Sequence, residues 1–305
     1  MAFKTLISTD ALAARLADPN LVVVDCRFKL DGVAWGEQEW KAGHIPGAAY
    51  AHLDRDLSGP KTGTNGRHPL PDAAVLAQTF GRLGITSGKQ VVAYDQDSGM
   101  FASRLWWLLR WLGHDTVAVL DGGFAKWVAE GRPLSVGAES HDDHSRHSRA
   151  EFHAAPRRDM TIGIDDVSAR ARDADWRLLD ARAPERYRGE IEPIDPVAGH
   201  IPGAASYFFQ RNIDERGTLR TPEDLRARFA PYISGIAPEH IVCYCGSGVQ
   251  ACHNLLALEH AGVSGAKLYP GSWSEWVSDR SRPVEIGPAN SLRQGFGGQE
   301  AGPHV

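Results

Sequence analysis

Cysteine is scarce in this chain, with four residues among 305. That count excludes a disulfide-stapled secreted scaffold and points to reduced thiols. Long apolar runs are missing too: none approaches the ~20 residues of a membrane-spanning helix, so no membrane association is expected. Neither sign of charge dominates, with 33 Lys and Arg against 38 Asp and Glu for a net −5. No basic tract offers a footprint for nucleic acid. The opening Met1-Ala2-Phe3-Lys4-Thr5-Leu6-Ile7-Ser8 has neither the apolar core nor the small-residue cleavage site of a secretory leader, and a cytoplasmic location is expected. What remains is a chain with 42% hydrophobic residues, long enough for two ordinary domains with a core each.

An internal repeat supports two domains. Gly43-His44-Ile45-Pro46-Gly47-Ala48-Ala49 recurs unchanged as Gly199-His200-Ile201-Pro202-Gly203-Ala204-Ala205, 156 residues further on. Upstream, Val24-Asp25-Cys26-Arg27 matches Leu179-Asp180-Ala181-Arg182. Downstream, Val91-Val92-Ala93-Tyr94-Asp95 matches Ile241-Val242-Cys243-Tyr244-Cys245, and Asp121-Gly122-Gly123 to Trp127 matches Pro270-Gly271-Ser272 to Trp276. Four landmarks in one order at nearly one shift mean a duplicated domain, since the period is far too long for a solenoid. The expected layout is a first domain over 1–134, a linker over 135–158, a second domain over 159–287 and a disordered tail over 288–305. The linker is polar and includes His141, Asp142, Asp143, His144 and His147, without the cysteine partners or spacing that would argue for a metal site. The tail is rich in Gly and Gln.

Each copy alternates short Val/Ile/Leu runs with amphipathic stretches. Strands are expected at 21–25, 91–94, 117–120, 178–180, 241–245 and 266–269. Helices are expected at 10–17, 72–83, 101–112, 165–171, 222–229 and 251–261, with Asp10, Asp72 and Asp165 as N-caps. The predicted fold class is α/β, each copy a mostly parallel sheet covered by helices on both faces. Ligands in such sheets sit at the carboxyl ends of the strands.

Cys245 falls at such an end. A strand leads into Cys245-Gly246-Ser247-Gly248-Val249-Gln250 and then a helix, so backbone N–H groups can converge on the sulfur while the helix dipole favours its thiolate. A buried structural cysteine is the plainer alternative. The first copy has Asp95 at the equivalent position, hence no thiol, and one active and one inactive copy is the economical reading.

The duplicated Gly-His-Ile-Pro-Gly-Ala, the Asp-x-Arg after a strand and the six-residue cysteine loop resemble the two-domain rhodanese-like sulfurtransferases, over about residues 5–285. The resemblance implies two tandem rhodanese-like domains and a persulfide carried on Cys245. The loop residues Gly246, Gly248, Val249 and Gln250 would surround the donor's sulfur. No cofactor and no metal are implied. Loops of the Cys-Gly-Ser-Gly-Val-Thr kind mark the 3-mercaptopyruvate branch, and basic loops mark the thiosulfate branch. Here Gln250 replaces the threonine. A neutral loop agrees with the first branch on physical grounds, because dianionic thiosulfate favours cations near the thiolate. That branch uses Ser, His and Asp around the cysteine, and the matching residues are Ser247, His68 and Asp54. A loop histidine such as His68 can also serve only to hold backbone. Two arginines clamp the donor carboxylate in that branch. The first matches Arg186, whereas the second position holds Ile194, followed by Asp195. Either Arg188 substitutes or carboxylate recognition is weaker. The implied partners are a small-molecule sulfur donor and a thiol acceptor such as a small thiol or thioredoxin.

Three competing classes are weaker. A phosphatase using the same kind of cradle needs a longer loop and an arginine six positions after the cysteine, where this chain has Ala251. Zinc binding by Cys243, Cys245, Cys252 and His253 lacks paired Cys-x-x-Cys knuckles, and Cys252 reads as helix packing under the loop. A non-catalytic binding module would not need an intact cysteine loop.

Overall fold

The computed structural model describes residues 2–137 and 151–288. The first copy forms a five-stranded sheet from β1 (Leu6–Ile7), β2 (Leu21–Asp25), β3 (Ala49–Tyr50), β4 (Gln90–Tyr94) and β5 (Val117–Leu120). Its order is β1-β5-β4-β2-β3, with every pairing parallel. The second copy repeats the pattern with β6 (Arg177–Asp180), β7 (Ala205–Ser206), β8 (Ile241–Tyr244) and β9 (Lys267–Leu268), in the parallel order β7-β6-β8-β9. The counterpart of β1 shrinks there to a single bridge between Thr161 and Leu268. β4 and β8 are buried at every residue, as their unbroken apolar runs require in a sheet covered on both faces. Both copies are α/β layers with parallel sheets.

The repeated motifs turn out to be one buried device. Arg182 forks onto Asp180 (Nη2–Oδ2 2.6 Å) and donates from the same Nη2 to the Gly199 carbonyl at 2.7 Å, with both side chains fully buried. In the first copy Arg27 forks onto Asp25 and donates to the Gly43 carbonyl at 2.7 Å. The Asp-x-Arg therefore ties the end of a central strand to the Gly-His-Ile-Pro-Gly loop. Removing either partner would strand a buried charge, at a cost of about 3–5 kcal/mol.

The copies meet through helices Ala102–Trp111 and Gln250–His260, which pack against each other. Residues 102–109 of the first and 251–258 of the second are all buried. These helices are buried around their circumference, including polar Ser103, Arg104, His253 and Asn254, so they belong inside the body rather than on its surface. Arg110–Glu259 (2.9 Å), His253 Nε2 to the Ser98 carbonyl (3.0 Å) and the Leu219 N–H to Asp121 (2.8 Å) add polar ties across the interface.

Several local expectations shift. Ser8, not Asp10, caps the helix Thr9–Ala13, and Asp10 lies in its first turn. Gly163 precedes the helix Ile164–Arg170 without a side-chain cap, leaving Asp165 in the first turn, where acidic charge still suits the dipole. Asp72 does cap Ala73–Arg82. The ends of the linker are strapped to the first copy. Ser135 pairs with His44, and Phe152 packs edge-on against Phe80 at 5.1 Å. Arg157 forms a two-point ion pair with Asp115. The histidine string of the linker, and the tail from 289 onward, lie outside the described residues. No described helix is long and apolar enough to cross a membrane.

Candidate active site

Cys245 is the first residue past β8 and is 1% exposed. Its Sγ accepts the N–H groups of Ser247 (3.4 Å) and Gly248 (3.1 Å), so the turn folds around the sulfur. The turn is held from outside as well. The Cys245 N–H donates to Ser272 Oγ at 3.1 Å, while Trp273 N and Ser274 N donate to the carbonyls of Cys245 and Gly246. Ser272 holds φ +54, an uncommon conformation for a residue with a side chain that costs about 1–3 kcal/mol. The bond from the Cys245 N–H offsets part of that strain.

The other three cysteines have different surroundings. Burial pushes the thiols of Cys26 and Cys243 well up, and that of Cys252 up to about 12. Cys252 donates to the Gly248 carbonyl at 3.2 Å and supports the loop from below.

The first copy carries the groups that face this loop. His68 Nδ1 lies 2.7 Å from Ser247 Oγ, and His68 Nε2 lies 3.2 Å from Asp54 Oδ1. Asp54 is positioned by the short helix Leu53–Asp56, whose N-cap His52 accepts from the N–H groups of Asp54 and Arg55. Fully buried Arg104 donates to the His68 carbonyl at 3.0 Å and fixes the loop that carries the imidazole. The hydrogen bond from His68 holds the Asp54 carboxyl down at about 2, and Lys61 adds to this from 3.5 Å. Burial lowers His68 below its ordinary value, and Asp54 partly opposes that. A neutral imidazole with its proton on Nε2, aimed at the carboxylate, leaves Nδ1 to accept from Ser247.

The sequence-derived set is thus split. Asp54, His68, Ser247 and Cys245 come together across the cleft between the copies. Gly246, Val249, Gln250 and Arg186 line the same pocket, whose apolar wall includes Leu30, Leu53, Met100 and Phe101 of the first copy and Ile194 of the second. Gly248 contributes its N–H rather than its surface. Arg188 stays away: its guanidinium forks onto Glu190 at 2.7 and 2.8 Å on an exposed face.

Arg67 was not among the expected residues, yet it lines the pocket beside His68. A Cβ placed on Gly246 would stand 2.6 Å from Arg67 Nη2 and 3.6 Å from both terminal nitrogens of Arg186. Two guanidinium groups therefore reach the glycine that follows the cysteine. Asp195, with its side chain 3% exposed, bridges them, paired with Arg67 Nη1 and lying 3.3 Å from Arg186 Nη2. Glu192 pairs with Arg186 at 2.6 Å and with Arg182 at 3.3 Å. The cleft is richer in cations than the neutral loop implies, but each cation has a carboxylate partner. The only sequence signal for Arg67 is its place next to His68. Its direction depends on Gly66, which has φ +85 and no room for a Cβ beside the Gly271 carbonyl of the other copy (2.8 Å).

The first copy's own cradle is filled from within. The Asp95 carboxylate accepts the N–H groups of Asp97, Gly99, Phe101 and Ala102 at 2.7–3.2 Å. Burial raises this carboxyl to about 6. No exchangeable group can enter while that side chain occupies the donors.

Comparison with known proteins agrees with this architecture. The model of the rhodanese-like domain matches residues 8–130 and again 164–279. A probable 3-mercaptopyruvate sulfurtransferase from Pseudomonas aeruginosa is 46% identical over 94% of this chain and 100% of its own length. A thiosulfate sulfurtransferase from Cricetulus griseus is 34% identical over 95% of this chain and 97% of its own. Among solved structures, the 3-mercaptopyruvate sulfotransferase SseA from Escherichia coli is 31% identical and superimposes with a TM-score of 0.76, covering 89% of this chain and 99% of that one.

Proposed function

This chain belongs to the rhodanese-like family, and from that premise we propose that it is a sulfurtransferase that takes the thiol sulfur of 3-mercaptopyruvate onto Cys245, where it becomes the sulfane sulfur of a persulfide, and passes it to a small thiol, a thioredoxin-like dithiol or cyanide. The observation that carries this reading is the contact between His68 of one copy and Ser247 of the other, made beside a sulfur that accepts two backbone N–H groups.

The chemistry follows from those positions. The Cys245 thiolate attacks the donor's sulfur while the carbon–sulfur bond breaks, and the carbon fragment leaves as the enolate of pyruvate. Ser247 takes the donor's thiol proton as its own moves to His68 Nδ1. The same relay, run backward, delivers a proton to the enolate carbon. The products are pyruvate and a Cys245 persulfide anion, so charge and protons balance. Asp54 keeps the imidazole in the required tautomer and favours the imidazolium that forms, and Arg186 pairs with the donor's carboxylate. In the second half, a thiolate or cyanide attacks the outer sulfur, the sulfur–sulfur bond breaks and the Cys245 thiolate leaves.

Thiosulfate as the main donor is the second reading, and the guanidinium groups near Gly246 give it footing. Against it, the carboxylates of Asp195 and Glu192 already neutralise those groups, and a proton relay has no task with a donor that carries no thiol proton. Steady-state kinetics with both donors and cyanide as acceptor test the choice. 3-Mercaptopyruvate should have the higher kcat/KM, and a tenfold or greater advantage for thiosulfate would reverse the assignment. Absence of cyanolysis with either donor would leave a binding module.

A further inference from the structure

We propose that the donor's carboxylate is clamped across the cleft by Arg67 of the first copy and Arg186 of the second, and that Asp195, by bridging the two, sets the clamp for a singly charged donor. This rests on the sulfur-transfer reading and concerns which residues select the donor.

Three observations converge. Ile194 stands where the resemblance calls for the second clamp arginine, and its side chain offers no charge. Arg67 and Arg186 both reach Gly246, the residue beside the reacting sulfur, from opposite sides of the cleft. Asp195 has almost no solvent contact and engages one terminal nitrogen on each guanidinium. Each guanidinium has five N–H donors, and Asp195 and Glu192 together take only part of them. Both arginines line a pocket whose other walls combine apolar side chains with the polar groups of His68, Ser247 and Gln250. A carboxylate is planar and accepts two such donors from neighbouring groups, as Asp195 itself does here. The Arg67 main chain is anchored independently, its N–H donating to Ser274 Oγ at 3.0 Å, so the side chain can change without releasing the His68 loop.

Asp195 gives the clamp its selectivity. With Asp195 bridging the pair and Glu192 on Arg186, the two guanidinium groups carry no excess charge, so they offer hydrogen-bond donors to one carboxylate and disfavour a second negative charge beside the thiolate. Replacing it by the uncharged isostere should favour a dianion.

The test uses the full chain with Arg67→Ala, Arg67→Lys and Asp195→Asn variants, and reads KM and kcat for 3-mercaptopyruvate, inhibition by pyruvate, and discharge of the preformed persulfide to dithiothreitol. Arg67→Ala should raise KM and the pyruvate inhibition constant together by about 10- to 100-fold, the scale of one charge-assisted contact. It should leave kcat and discharge to the neutral thiol nearly unchanged, and Arg67→Lys should recover part of the loss. Asp195→Asn should raise the thiosulfate to 3-mercaptopyruvate ratio of kcat/KM by about tenfold. The clamp is refuted if Arg67→Ala and Arg67→Lys leave KM and pyruvate inhibition at wild-type values, or if kcat alone falls, because Arg67 would then act only through His68. If wild-type protein forms no persulfide from either donor, the sulfur-transfer reading itself fails, a result distinct from a normal persulfide yield in Arg67→Ala.

Discussion

Replacing His68 by Asn separates the two donors most cleanly. The substitution removes the nitrogen 2.7 Å from Ser247 and the contact to Asp54, and it leaves the backbone carbonyl that Arg104 holds. A positioned acid–base group contributes about 100- to 10,000-fold to a proton-transfer step, so kcat for 3-mercaptopyruvate should fall by that order. Thiosulfate carries no thiol proton to relay, and its turnover should change by less than about threefold if His68 acts only in that relay. The pH profile adds a second reading. His68 is held below its ordinary value by burial, so the neutral base is present throughout the neutral range. For 3-mercaptopyruvate, kcat/KM should be flat above pH ~6.5 and fall only on the acid side. Asp54→Asn removes the charge that favours protonated His68, so the acid limb should move lower while the plateau drops. Equal losses with both donors in His68→Asn would refute the relay and leave His68 as a structural residue.

Three further outcomes follow from the geometry. Arg186→Ala should raise KM for 3-mercaptopyruvate by about 10-fold or more, whereas Arg188→Ala, whose guanidinium is engaged with Glu190 on the surface, should leave the kinetics unchanged; equal effects would contradict the pocket assignment. Cys243→Ala and Cys252→Ala should retain sulfur transfer, with a melting temperature lowered by the loss of buried packing, measured by thermal unfolding. Asp95→Cys in a Cys245→Ala background should stay inactive in cyanolysis, because Asp97 rather than a serine follows two residues later.

The architecture was legible where chemistry and periodicity coincide. β2 and β5 fall on the expected runs and β4 differs by one residue, because buried parallel strands leave unbroken apolar stretches. The repeat was visible because each copy needs the same buried Asp–Arg fork on the same loop. Of the two-residue strands, β9 falls within the expected 266–269, whereas β1, β3 and β7 carry too little pattern to read and exist through pairing with a longer neighbour. Phe152 is an apolar residue in a stretch that reads as polar linker, and the docking of that segment on the first copy, against Phe80, accounts for it. The grouping of Cys245 and Ser247 with His68 was legible from local loop chemistry and family resemblance. Arg67 was not, because its place at the pocket arises from contact with a glycine 179 residues away in the other copy, and nothing in its own neighbourhood records that distance. The helix start tells the same story in small: Ser8 won over Asp10 because the cap must precede the turn whose N–H groups it accepts.

Mass spectrometry of the intact protein after brief exposure to 3-mercaptopyruvate, without an acceptor, tests the central claim most directly. Wild-type protein should gain about 32 Da, one sulfur atom, mapped to the peptide with Cys245 and lost on adding cyanide, as a covalent carrier requires. Cys245→Ala should gain nothing. A +32 Da adduct that persists in Cys245→Ala, or full turnover by that variant, would contradict the account.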